Sequence, residues 1–187
     1  MDAPPEGREK IVRIGGASGF WGDSRVGAPQ LVRSGQIDYL VFDYLAETTM
    51  AILAAARAKK PELGYATDFV DVAMRSVLKE IAAAGIKVVS NAGGINPHGC
   101  AQALARLVAA EGLQLKIAVV EGDDVSAQVH DLCAAGQLDM FTAEPLTERV
   151  LSANAYLGAL PIAHALGAGA DIVVTGRCVD RPSRSGR

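Results

Sequence analysis

Five short apolar runs recur along the chain, each separated from the next by residues whose apolar positions fall at helical spacing. The runs are Lys10–Gly15, Tyr39–Tyr44, Lys87–Ser90, Lys116–Glu121 and Asp171–Thr175. Each is rich in Val or Ile and nearly continuous rather than alternating, which is how strands buried on both faces read. Between them the pattern predicts helices over Pro29–Ser34, Glu47–Lys60, Asp71–Ala84, Pro97–Ala110, Val125–Ala135 and Thr147–Leu166. Val72, Val77, Leu78 and Ile81 share one face of the third, and Gly85 suits its C-terminal cap. Asn96 and Pro97 read as the cap and first position of the fourth. Gly136 and Gly167 read as stops for the last two.

Strand and helix in alternation imply right-handed crossovers and a parallel sheet. The expected fold is α/β, a mostly parallel, doubly wound three-layer sheet. An incomplete β/α barrel is the alternative, because five βα units leave a barrel unclosed. The domain is expected to span residues 11–180, after a flexible N-terminus at 1–10 and before an out-of-pattern tail at 181–187. No helix follows the last strand, so the chain reads as a fragment, and Ile172, Val173 and Val174 are expected to lose part of their cover.

Composition narrows the function classes. Half of the residues are hydrophobic, aromatics are few, and the net charge is −3. This is not the basic footprint of a nucleic-acid binder. No apolar run reaches the roughly 18 residues that span a bilayer, and Met1–Lys10 lacks a signal-peptide core. The expectation is a cytoplasmic protein without membrane or nucleic-acid partners. Cys100, Cys133 and Cys178 are odd in number and far apart, which speaks against a disulfide framework or a structural zinc site. Cys100 lies near a helix start, where a thiol pKa can fall.

In parallel α/β sheets, ligands bind at the carboxyl ends of the strands. The unusual polar residues fall in those positions. Gly15, Gly16, Ser18 and Gly19 follow the first run as a candidate anion-binding loop, with a Gly-rich turn under a packed Trp21 as the plain reading. The loop is neither the dinucleotide motif nor a P-loop. Asp43 and Glu47 follow the second run, Glu47 with a helix-dipole role available to it. Asn91, Gly93 and Gly94 follow the third and offer an amide and N–H donors for a developing oxyanion. Glu121 and Asp123 follow the fourth, with Asp124 as a helix cap. Arg177 follows the fifth and suits a carboxylate or phosphate, with Asp180 as a possible partner. Asp43 and Glu121 are the acid–base candidates and Asn91 the third catalytic candidate. Gly15, Gly16, Ser18, Gly19, Gly93, Gly94 and Arg177 are the binding candidates. A Mg²⁺ ion on Asp43, Glu47, Glu121 and Asp123 is conceivable on donor type alone, but no metal site is assigned. His98, His130 and His164 share no ligand spacing.

Four segments together carry a family resemblance: Ile14–Asp23, Asp38–Glu47, Asn91–Pro97 and Val174–Arg177. They resemble the AtuA-type acyclic terpene utilisation family over roughly Ile11 to Asp180. The resemblance implies a role in the breakdown of citronellol- and geraniol-type terpenes through acyl-CoA intermediates. It supplies the expected substrate class, a carboxylated or CoA-linked branched acyl compound, and no settled reaction or catalytic residue. It also implies a chain that continues beyond Arg177 with further α/β units. A non-catalytic subunit or scaffold for acyl-CoA enzymes is the alternative role, and a second copy of the chain or the missing C-terminal portion is the expected protein partner.

Overall fold

A computed structural model describes residues 11–147 and 149–179. The expected segments at 1–10 and 181–187, and Asp180, lie outside the described residues. Five strands form one sheet: β1 (Ile14–Ser18), β2 (Tyr39–Phe42), β3 (Lys87–Ser90), β4 (Ile117–Val120) and β5 (Ile172–Thr175). Every pairing is parallel and the spatial order is β1-β2-β3-β5-β4. The sheet is open, so the barrel alternative falls. The chain steps outward from β1 to β3, passes over one position to β4, and returns to place β5 between them.

That reversal puts helices on both faces. On one side lie α1 (Gly27–Arg33), a π-helical stretch Phe69–Met74 running into α3 (Arg75–Ala84), and α4 (Pro97–Ala110). Their apolar residues form the main core with Leu40, Phe42, Val88, Ile172 and Val174. Phe69 stands edge-on to Phe42 and Tyr44, with ring centroids 5.2 and 6.0 Å away. On the other side α6 (Leu160–Gly167) covers Val120 and Val173. Because β5 is an inner strand with helices on both faces, Ile172, Val173 and Val174 are fully buried. The expected loss of cover at the last strand is therefore not found. The open surface lies at the opposite edge, where Ile14 of β1 remains 66% exposed.

Helix caps follow the sequence closely at two places. Gly85 ends α3 at φ 68°, a left-handed conformation that glycine adopts without strain. Asn96 caps α4 by accepting a hydrogen bond from Gly99 N at 3.0 Å. Two expectations need correction. Val125–Ala135 is a 3₁₀ turn (Ser126–Gln128) followed by α5 (Val129–Ala134). Of the described residues in Thr147–Leu166, only those from Leu160 onward are helical. Pro161 sits in the first turn of α6, where its missing N–H costs nothing, so the helix begins at the proline instead of running through it.

The remaining helix, α2 (Glu47–Lys59), does not lie on a sheet face. Leu45 and its residues Met50 and Leu53 pack against Trp21 and Ile95, from the segments that follow β1 and β3. α2 thus lies across the carboxyl ends of the strands. Among the described residues no helix is long and apolar enough to cross a membrane.

Candidate functional site

The segment before α6 is extended and crosses the same edge as α2. Val125 N donates to Ala153 O, Ala155 N to Asp123 O and Leu157 N to Arg177 O, at 2.9, 2.7 and 3.2 Å. These bonds tie the segment to the ends of β4 and β5 and bring Tyr156 against Arg177. The guanidinium carbon of Arg177 sits 4.6 Å from the Tyr156 ring centroid. Arg177 also donates to Leu45 O, to Glu47 Oε1 at 3.1 Å and to Tyr156 Oη at 3.1 Å. Tyr156 Oη donates to Glu47 Oε1 at 2.7 Å. The Arg177 side chain is only 5% exposed, whereas that of Glu47 is 78% exposed. The Tyr156 hydroxyl, the start of α2 and the Arg177 charge hold the Glu47 carboxyl below the usual carboxylate range.

This cluster forms one end of a cavity of about 440 Å³ whose walls include Met50, Val150 and Leu151. A cation at the end of an apolar-walled cleft suits a ligand with an anionic head and a hydrocarbon body. Glu47 is a carboxylate already seated on that cation. Being mostly exposed, it can swing into solvent and leave its place to another carboxylate.

Asp123 is the support beneath Arg177. Its buried carboxylate accepts from Arg177 N at 2.7 Å and Asn154 Nδ2 at 2.9 Å. A Cβ on Gly176 would overlap that carboxylate, so the close approach requires glycine there. Asp43 and Asn91 are joined as well. Asn91 Nδ2 donates to Asp43 Oδ1 at 2.7 Å, and Asn91 Oδ1 accepts from Tyr44 N at 2.7 Å. A buried amide so fixed holds the carboxylate of Asp43 in one orientation at the ends of β2 and β3.

Glu121 stands elsewhere. Its Oε2 lies 2.6 Å from His98 Nε2, in a neighbouring cavity of about 360 Å³ that Arg57 and Asp124 also line. Asp124 accepts from Ser126 N at 2.9 Å, a local turn one residue ahead of the N-cap Val125 rather than the expected helix cap. The four carboxylates considered for Mg²⁺ thus face different partners. Among the described residues no group of three or more His, Cys, Asp or Glu side chains is placed to hold a metal ion.

Of the candidate glycines, Gly93 and Gly94 sit where a Cβ would overlap the backbone or a side chain, whereas Gly16 faces open space. Gly15 and Gly16 lie inside β1 rather than after it, and a Cβ on Gly15 would press on the side chains of Leu31 and Ile37. Gly19 N donates to Asp23 Oδ2 at 2.8 Å, so a carboxylate of the chain itself occupies that donor. The Ser18 hydroxyl oxygen is buried beside Tyr44, whose phenol burial pushes above its ordinary pKa. Gly93 packs on Thr175 O and Pro97. Gly94, at φ 54°, donates to Asn91 O at 3.2 Å to close the turn. Cys100 is fully buried and its thiol is pushed up by burial, opposite to the lowering a helix start suggests.

Tyr156, Asn154 and the apolar wall Val150–Leu151 escaped the sequence reading because 147–159 was expected to be helical. Gly158 and Pro161, read together as a helix start, were the available signal.

An open, all-parallel α/β sheet with a ligand-sized cleft at its carboxyl edge defines the class of the protein. The chain belongs to the acyclic terpene utilisation family: the model described as "Acyclic terpene utilisation family protein AtuA" matches residues 12–184. No curated protein and no solved structure matches the chain.

Proposed function

We propose that this chain is an enzyme domain that binds a carboxylated or CoA-linked branched acyl compound at the Arg177 cleft. The observation that carries the reading is the buried Arg177 guanidinium, held by Glu47 and Tyr156 at one end of a cavity walled by Met50, Val150 and Leu151. The arginine fork matches a carboxylate, and the apolar walls match a branched hydrocarbon. Asp43, oriented by Asn91, is the nearer in sequence of the two acid–base candidates to this cleft, two residues before Leu45, whose carbonyl holds Arg177. Glu121 is the second acid–base candidate. A CoA thioester enters as substrate rather than cofactor. Family membership accords with a place in terpene catabolism, and three cysteines, odd in number and far apart in the sequence, accord with the cytoplasm.

The test is a thermal-shift panel of branched acyl-CoAs and the matching free acids. Stabilisation should grow with ligand concentration over Kd, by about 2.7 kcal/mol at a hundredfold excess. Arg177→Lys keeps the charge, loses the planar fork, and should weaken binding about tenfold or more. In an assay of the protein with its turning-over substrate, Asp43→Asn should abolish activity without lowering the melting temperature. A second reading, a non-catalytic subunit, draws on Met140 and Phe141, which stand 85% and 87% exposed in the segment between α5 and α6. Silence across the whole panel, together with a specific protein captured through that segment, would replace the first reading by the second.

A further inference from the structure

The Arg177 cleft does not end at Leu151. A second cavity of about 320 Å³ shares Leu151 and Ser152 with it, and shares Arg57, Ile95 and Asp124 with the third cavity, of about 360 Å³, beside His98 and Glu121. One side of this succession is a single face of α2. Glu47, Met50, Ala51, Ala54, Arg57 and Ala58 recur at intervals of three and four, the spacing of one helical face. The other side is the extended segment at Leu151 and Ser152, then the turn at Asp124. Ten residues separate Glu47 from Arg57, so at 1.5 Å per residue the groove runs about 15 Å.

Its two ends differ. At the Arg177 end one cation meets a displaceable carboxylate. At the far end Arg57 and His98 face Glu121 and Asp124, so charges of both signs are present. Such a mixture balances itself and favours an uncharged group that both donates and accepts hydrogen bonds. Arg57 is steadied by a hydrogen bond to Ile95 O, and His98 by Glu121. The middle is narrow in side chains: Ala54 and Ala58 from α2, with Leu151 opposite.

We propose that the three cavities form one groove for an extended amphiphilic acyl chain, its carboxylate on Arg177 and an uncharged polar group, a hydroxyl or amide, beside His98 and Glu121. This rests on the Arg177 reading above and names its ligand class: an extended acyl chain with a polar group at each end.

Calorimetric titration of the whole chain with hexanoate, decanoate and 10-hydroxydecanoate tests it. Decanoate should bind at least tenfold tighter than hexanoate, since the added methylenes enter the apolar middle. The terminal hydroxyl should tighten binding again, about tenfold, and His98→Gln should remove that second gain. Ala58→Trp fills the middle from an exposed helical position and should bring decanoate down to the level of hexanoate. Ser152→Trp does the same from the opposite wall, so a folding defect in one variant leaves the other as a test. Equal affinity for hexanoate and decanoate, with Arg177→Lys weakening both, overturns the groove and leaves the Arg177 reading intact. Decanoate binding unchanged in both folded tryptophan variants also overturns the groove. No binding of any of the three acids overturns both.

Discussion

Trp21, Asp68 and Tyr44 make a half-buried cluster beside the end of β1. The Trp21 indole N–H donates to Asp68 Oδ1, and burial pushes the Asp68 carboxyl up, offset in part by the Trp21 bond. The fold therefore favours its protonated form. That contribution is complete below the unfolded-state value, near 3.8, and is lost as the pH rises through the higher folded-state value. Asp68→Asn keeps an oxygen for the indole and cannot ionise. Melting curves from about pH 3 to about pH 8 should show the variant equal to the parent in acid and more stable than it near neutrality. A gap that narrows with rising pH would contradict this. Single residues were legible in the sequence where a charge interrupted an apolar run at a strand end. Arg177, Asp43 and Asn91 were found in that way, and the last two are directly bonded. Asp68 and Tyr156 were not, because their partners Trp21 and Glu47 lie 47 and 109 positions away. No local pattern records a contact of that separation.

Among the elements, α4 is the one whose start was written most fully in the chain. Asn96 does more than cap it. Its Nδ2 also donates to Leu63 O at 2.9 Å, with Glu62 O and Pro61 O at 3.3 and 3.4 Å, tying the helix start to the turn after α2. Asn96→Ala should cost about 2 kcal/mol, the upper end for a lost N-cap, because the carbonyls lose a donor as well. A urea midpoint that falls with an unchanged slope checks it. Loss of about 1 kcal/mol would mean that the cap alone counts, and loss below about 0.5 kcal/mol that neither contact does. Strand positions and these caps were readable because buried parallel strands and Asn-Pro or Gly boundaries leave local signals. The stretch 147–159 was not. Its apolar residues meet helical spacing, yet its backbone hydrogen bonds go to Asp123, Val125 and Arg177 from other elements. Tertiary pairing decided its conformation, and with it the wall of the candidate site.

At the scale of the molecule, cover is uneven. α6 packs on β4 and β5, while Ile14 on the same sheet stays largely exposed at the β1 edge. Ile172→Ala should therefore cost about 2–5 kcal/mol, and Ile14→Ala less than about 1 kcal/mol. Chemical denaturation of both variants checks the asymmetry, and equal losses would show that the outer face of β1 is covered in solution. The strand order has a further consequence, for the route by which the sheet is completed. β1, β2 and β3 are neighbours in sequence and in space, so they can zip together as the chain is synthesised. β4 cannot join them, because its ladder partner in this sheet is β5, the last of the five described strands to be made. Joining β3 to β5 brings together residues 84 positions apart, as in the Lys87–Asp171 ion pair, a slow loop closure. Until that insertion occurs, β3 and β4 each present an unpaired edge, and Arg177 has not reached Leu45 and Glu47. The strand that joins the two parts of the sheet also delivers the arginine, so the cleft comes into being only when β5 inserts.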